Sequence, residues 1–289
     1  MSRVILPVLL LFTLVAAACS RPTEPPVTMR YELTGQILAI HTATKELTVK
    51  HEDIPGLMPA MTMTFPVVNE SEMTELVPGD LITATLEVTA SVGRLVDVVK
   101  TGTAELPANT NEVALAGGVL AEGDTVPDAA LIDQTDRRRS LAEWRGSPVL
   151  FGFVYTTCPL PNYCPLIDRH FLTLQKAIQS DTRLNGRVKL VSISIDPAHD
   201  TPEVLAAHAK GLGADADIWT FLTGDLATVD RVAGRYGVGI SRPDAPGEIA
   251  HNLRTTLVGS DGRVRRIYTG NEWTPDEVLA DLRAAVAAE

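Results

Sequence analysis

The chain has 289 residues, enough for two domains of ordinary size, and its 45% hydrophobic content is that of a folded globular protein. A formal net charge of -11 argues against nucleic acid as a partner. Acidity of this kind points to solubility and says nothing specific about metal.

The chain opens with a basic residue and then runs apolar from Val4 to Ala18. That run is too short and too near the start for a membrane-spanning helix, and three alanines precede Cys19, which describes a secretory signal. The reading is a signal peptide over 1–18, with Cys19 as the lipidated first residue of a mature bacterial lipoprotein. Such a protein is exported and lipid-anchored, facing the periplasm or another extracytoplasmic side of the cell envelope, with the membrane as a partner through Cys19. A chance cysteine after an ordinary signal is the plainer alternative. Residues 19–29 are proline-rich and read as an extended tether. Once Cys19 carries lipid, Cys158 and Cys164 are the remaining free thiols, and an oxidising compartment drives close thiols to pair unless a reductant or metal separates them.

Residues 30–100 hold five short runs rich in β-branched residues, separated by turn residues such as Pro78-Gly79-Asp80. They predict a small all-β barrel of the OB type. Its chemical interest is "KHEDIPGLMPAMTMTF". Met61 and Met63 are two apart and share one face of a strand, with His51 and Met58 close by in sequence. Thioether and imidazole donors suit Cu(I) or Ag(I) better than zinc, calcium or magnesium. Methionines at alternate positions also simply fill cores.

The "MPAMTMTF" run with an upstream histidine resembles the periplasmic copper and silver carrier CusF. In that family a His and the two Met of the M-T-M run are ligands, and a Trp covers the metal. The resemblance places the ligands on His51, Met61 and Met63, with one residue fewer between His51 and Met61. Met58 stands at the Trp position, so the aromatic lid is missing and Met58 is either a third sulfur ligand or an apolar cover.

Residues 101–121 lose the periodic pattern and read as a linker, flexible over about twenty residues with an r.m.s. span near 25 Å and a roughly millimolar effective concentration. Residues 122–289 then alternate strand and helix. Apolar runs at 148–155 and 188–195 are those of buried strands, and Leu166, Ile167, Phe171, Leu174 and Ile178 form a helical stripe. Further helices are predicted at 202–212, 226–236 and 275–288. Two strands flank Ser260-Asp261-Gly262, so the sheet should be mixed. This is the order of an α/β thioredoxin-like domain, with Cys158 just past the first long strand and Cys164 at the mouth of the next helix.

Pro165 fits the first helical position, which makes Cys164 the N-cap, where helix N–H groups favour a thiolate. A disulfide closing so short a loop would stabilise by only about 2 kcal/mol, so a redox pair or a metal clamp is the better reading than a staple. Spacing does not choose between those two. Among possible third donors, His170 lies on the apolar stripe of its helix, His208 reads as helix surface, and His41 and His199 lie by turns. His251 follows a loop rich in Pro and Gly and opens a strand from which it can reach the sheet end.

The segments "GDTVPDAALIDQTDRRRSLAEWRGSPVLFGFVYTTCP", "SISIDPAHDTPEVL" and "HNLRTTLVGSDGRV" resemble the Sco/SenC family. The resemblance implies a thioredoxin-like fold that binds copper through two cysteines and a distant histidine. It also implies service to the binuclear copper centre of cytochrome c oxidase, as metallochaperone, thiol reductant or both. The ligands fall on Cys158, Cys164 and His251, and Asp196 and Asp200 match a D-P-x-x-D-T-P segment. Five residues separate the cysteines here, against the family's usual three. The implied metal is Cu(I), with Cu(II) left open, and the implied partner is the oxidase copper-centre subunit or another copper acceptor. The whole reads as a copper carrier whose barrel passes Cu(I) to the thiolates. A metal-free thiol-disulfide oxidoreductase and a copper-resistance buffer are the alternatives.

Overall fold

The computed structural model describes residues 28–288 except 43, 59, 90, 91, 107–117 and 243–248, and the side chains of Met61, Val92, Ser241 and Ala250 also stand outside that description. The predicted signal peptide, Cys19 and the tether up to residue 27 lie outside the described residues. Among the described residues no helix is long and apolar enough to cross a membrane.

The first unit is all β. Its strands are β1 (Thr28–His41), β2 (Glu46–His51), β3 (Met61–Pro66), β4 (Asp80–Thr89) and β5 (Val92–Thr103). They pair in the order β3-β2-β1-β4-β5, every ladder antiparallel. Alternation places Ile82, Ala84 and Leu86 of β4 inward, beside Leu33, Ile37, Leu47, Val49 and Phe65. The sheet curls until its two edges meet at the Val67–Leu95 bridge, where Val68 N donates to Leu95 O at 3.0 Å. The five-stranded unit is therefore OB-like, but the predicted barrel is not closed: among the described residues a single isolated bridge, and no ladder, joins its two edges. Gly35 of β1 pairs with His51, and a Cβ on it would stand 2.6 Å from Lys50 O and 2.9 Å from the His51 Cα. Only glycine lets the His51 end of β2 lie this close to β1.

The second unit is α/β. Its strands are β6 (Ala130–Asp133), β7 (Arg138–Ser140), β8 (Val149–Val154), β9 (Lys189–Ser194), β10 (Trp219–Thr223), β11 (Ile240–Ser241), β12 (Ala250–His251), β13 (Arg254–Val258) and β14 (Val264–Thr269). Its helices are α1 (Cys164–Ser180), α2 (Pro202–Leu212), α3 (Leu226–Arg235) and α4 (Pro275–Ala287). Seven strands form one mixed sheet in the order β14-β13-β8-β9-β10-β6-β7. Strands β8, β9 and β10 are parallel, while β13 joins β8 and β14 antiparallel. Every residue of β8 is buried, as its unbroken apolar sequence requires of a strand covered on both faces. Ile167, Phe171, Leu174 and Ile178 of α1 are wholly or nearly inaccessible, each contributing about 1.5–3 kcal/mol of apolar burial.

Two boundaries differ from the sequence reading. Strand β5 continues to Thr103, and Leu120 N donates to Arg235 O at 2.8 Å, so both ends of the predicted linker over 101–121 belong to the folded units. The units also touch. Arg254 at the start of β13 binds the Glu46 carboxylate of β2 through three contacts of 3.0 to 3.2 Å, both side chains almost completely buried. Linker length alone therefore does not set their separation.

Candidate metal centre

Cys158 lies in the loop that leaves the C-terminal end of β8, and Cys164 begins α1. The predicted N-cap is one residue out: Tyr163 caps the helix, Cys164 is its first residue and Pro165 its second. The base of the loop is held by Asp200, a fully buried carboxylate. It accepts hydrogen bonds from Thr156 N (3.1 Å), Thr156 Oγ1 (2.5 Å) and Ser194 Oγ (2.6 Å). Asp200 N in turn donates to Asp196 O at 2.8 Å, so the two aspartates of the D-P-x-x-D-T-P segment shape the turn under the cysteine loop.

His251 reaches the thiols from the other side of the sheet end. It lies on the short strand β12, paired with Ile240 of β11, rather than opening β13 as the sequence suggested. Its Nε2 stands 3.7 Å from the Cys164 Sγ, across 87 residues of sequence. Its Nδ1 faces the carbonyl of Asn252 at 3.0 Å. A carbonyl can only accept, so Nδ1 carries the proton and Nε2 presents a lone pair to the sulfurs. Tyr155 packs edge-on against the imidazole at 5.9 Å, and its hydroxyl donates to Ile249 O at 3.2 Å, tying the His251 segment to the start of the cysteine loop.

The thiols are reduced and share a hydrogen bond. That bond, given by Cys164, lowers the Cys158 pKa to about 6 against an opposing desolvation, while the same neighbour and burial push Cys164 well above the ordinary thiol range. The helix mouth is thus not the side that these shifts favour for the thiolate. The sulfur–sulfur hydrogen bond and burial favour the anion on Cys158 and oppose it on Cys164, against the pull of the helix N–H groups. Burial lowers the His251 pKa to about 4, keeping the ring neutral and able to bind metal.

The donor set fits a soft cation. At metal–sulfur and metal–nitrogen bond lengths of roughly 2.3 and 2.0–2.1 Å, two ligands at tetrahedral or trigonal angles stand about 3.6–3.8 Å apart. Cys164 and His251 already have that spacing. Thiolate and imidazole, with no carboxylate among them, select cuprous ion over calcium or magnesium.

The first unit repeats the imidazole device. His51 Nδ1 faces the carbonyl of Glu52 at 2.7 Å, and its Nε2 is buried with no partner among the described residues. An orphaned buried acceptor is costly unless something binds it. Burial also lowers this histidine's pKa, so it is neutral. His51 pairs with Met61 and Val49 with Met63, which places Met63 on the same sheet face as His51. Met63 is buried; Met58 is half-buried where the chain bridges back to Ile54. The Met61 backbone stands opposite His51, while its side chain lies outside the described residues.

Met58 and Met63 also line a cavity of about 180 Å³ between the two units, whose opposite wall carries Tyr155, Cys158 and His251. Sequence reasoning did not bring the two donor sets together, because no local pattern encodes the docking of one unit on another. The remaining histidines have other neighbours. His170 packs against Trp273 at 4.6 Å, His41 Nε2 meets Thr48 at 2.9 Å, and His199 pairs with Asp200. His208, read as helix surface, is half-buried and binds Asp168 at 2.9 Å.

The second unit is thus a thioredoxin-like domain with two reduced cysteines and a distant histidine that approaches one of them. Among the described residues no three His, Cys, Asp or Glu side chains already stand close enough to hold a metal ion. An OB-like unit carrying a histidine and methionines precedes this domain. The chain belongs to the SCO1/SenC family, whose model matches residues 120–287. A second model, that of the copper binding periplasmic protein CusF, matches residues 30–100. The SCO1 protein homolog of Bacillus subtilis is 30% identical over 156 residues, covering 53% of this chain and 78% of that protein. The human mitochondrial SCO1 homolog is 29% identical over 53% of this chain and 50% of that one. Among solved structures, BsSco, a Sco-family cytochrome c oxidase assembly protein in which a disulfide switch was identified, superposes with a TM-score of 0.51. It is 26% identical and covers 60% of this chain and 100% of that chain. A SCO1/SenC family lipoprotein from Bacillus anthracis shares the fold with a TM-score of 0.51 at 23% identity, over 57% of this chain and 95% of that one.

Proposed function

We propose that the protein is an exported, lipid-anchored copper carrier that binds Cu(I) at Cys158, Cys164 and His251 and delivers it to the binuclear copper centre of cytochrome c oxidase. His51, Met58, Met61 and Met63 form a second, weaker site. The single observation that carries this reading is the 3.7 Å approach of His251 Nε2 to the Cys164 Sγ beside Cys158, with the imidazole held in its metal-binding tautomer. Matches to the SCO1/SenC and CusF models support copper at both places, and the BsSco relative supports oxidase assembly as the destination. Cys19 is the anchor, and Asp200 fixes the loop that presents Cys158.

When bound, the metal supplies no redox step that the protein needs: copper is the cargo. The chain's own residues do the work. Cys158 offers a ready anion, Cys164 loses its proton to solvent as copper arrives, and His251 enters neutral. Anaerobic titration of the reduced chain against a competing Cu(I) chelator tests this. Two equivalents should bind, and Cys158→Ser, Cys164→Ser and His251→Ala should each weaken the tighter one. Unchanged affinity in all three would refute the assignment.

A second reading has its own support. A low-pKa Cys158 backed by a buried, protonated Cys164 is the arrangement of a nucleophile and its resolving thiol. In that reading the pair reduces a partner's disulfide without metal, and His251→Ala leaves exchange intact.

A further inference from the structure

Two copper sites in one chain need not communicate, yet here both open on the same narrow space. Met58 and Met63 form one side of the cavity between the units, and Cys158 and His251 form the other. Its walls are otherwise largely apolar, with Leu57, Phe65 and Leu160 among them. A volume of about 180 Å³ admits an ion and a few waters but not a bulky chelator, since sites for drug-sized molecules are roughly 300–1,000 Å³.

The contacts that close this space are attached to the ligand strands themselves. Glu46 begins β2, the strand that ends at His51, and lies opposite Pro66 of the Met63 strand. Arg254, its partner, is three residues beyond His251. The pair is bidentate, with side-chain exposures of 5% and 1%, so the docked units exclude water from it and removing one partner leaves an uncompensated buried charge between them. A second contact lies beside it. Gly239, next to β11, abuts the backbone of Thr62 so closely that a Cβ there would run into the Thr62 carbonyl oxygen. Ile240 beside it is the residue paired with His251. Thus Glu46 and Arg254 lie five and three residues from His51 and His251, Thr62 lies between Met61 and Met63, and Gly239 adjoins the strand partner of His251.

We propose that the cavity is a shielded transfer route in which Cu(I) passes from the Met58 and Met63 thioethers to Cys158 and His251 on the facing wall, with Cys164 buried behind them, without release to bulk solvent, and that the buried Glu46–Arg254 pair is the latch that holds the two walls together. The inference rests on the copper-carrier reading and adds a route and a latch to it. In the step, copper stays monovalent. Copper–thioether bonds break as copper–thiolate bonds form, and the Cys164 proton leaves to solvent. Transfer runs toward the thiolates because anionic sulfur holds Cu(I) more strongly than neutral sulfur.

The test uses the mature full-length chain with Cys158 and Cys164 oxidised to a disulfide, so that one Cu(I) equivalent occupies the thioether site. A bulky anionic Cu(I) chelator is added, and the rate of copper extraction is followed optically. Glu46→Gln and Gly239→Ala, which open the interface from independent positions, should speed extraction at least tenfold over the wild-type chain while leaving the loaded equivalent unchanged. On adding a thiol reductant with chelator present, the wild-type chain should keep its copper on the thiolates, and the two variants should lose most of it to the chelator. Circular dichroism checks that each variant is folded, and one folded variant suffices. Equal extraction rates in wild type and a folded variant would overturn the latch and the shielded route. Failure of the oxidised chain to load copper at all would instead overturn the thioether site on which the inference rests.

Discussion

The two units set the same imidazole device beside different sulfur. His51 and His251 each commit Nδ1 to the carbonyl of the next residue, and each is kept neutral by burial. What differs is the partner. The OB-like unit offers methionine thioethers, which carry no charge at any pH, whereas the thioredoxin-like unit offers a thiolate and a thiol that can become one. Under the proposed copper-carrier function the histidine would fix geometry in both places, and sulfur chemistry would set the order of affinity. The units also differ in how their donors are gathered. One hairpin and its turn bring residues 51–63 together, while the other site joins a loop, a helix end and a strand 87 residues beyond.

The comparison is broken most severely by removing thiolate sulfur. Cys164→Ser should lower the tighter Cu(I) affinity by more than about a hundredfold, beyond the 10–100-fold typical of losing a supporting residue, as read by chelator competition. The weaker site should be unmoved. Next in size is Asp200→Asn, which weakens the anchor of Thr156 without touching a donor atom. It should cost about tenfold in affinity at the tighter site only. Met63→Leu should abolish or sharply weaken copper at the other site, yet change the unfolding free energy by less than about 1.5 kcal/mol, because Leu conserves the buried volume. Equal loss of stability and of copper would make Met63 a core residue rather than a ligand.

The smallest effect is on pH dependence. With the folded-state pKa of Cys158 near 6, its alkylation by iodoacetamide in the reduced apo chain should have nearly reached plateau by pH 7.5. Cys164→Ser replaces the donated thiol hydrogen bond with a hydroxyl and should move that midpoint. An unperturbed profile still rising above pH 9 would contradict the shared hydrogen bond. His251 acts in the opposite pH range. Its folded pKa lies below its ordinary value of 6.5, so between pH 6.5 and about 4 the unfolded chain takes up a proton that the folded chain refuses, and stability falls as pH falls.

Much of this architecture is legible in the sequence because it is encoded locally. Alternation in 30–100 and the unbroken apolar runs of β8 and β9 specify an all-β unit followed by a covered mixed sheet, and the structure has both. The helical stripe Ile167, Phe171, Leu174 and Ile178 is the buried face of α1. The approach of His251 to the cysteine loop matches its family position, and His51 and Met63 share one sheet face as their spacing suggested. Three things were not legible. Which cysteine ionises more readily depends on a sulfur–sulfur hydrogen bond and on burial, neither of which the helix-mouth position encodes. That His208 is half-buried against Asp168 depends on how α2 packs on α1. Above all, the meeting of Glu46 with Arg254 spans 208 residues and leaves no periodicity in either segment.

Copper K-edge absorption of the mature, fully reduced chain loaded with one equivalent of Cu(I) tests the central claim most directly. The account predicts a cuprous edge with sulfur scattering and an imidazole contribution that disappears in His251→Ala. Coordination by oxygen and nitrogen alone, unchanged by Cys158→Ser or Cys164→Ser, would contradict it.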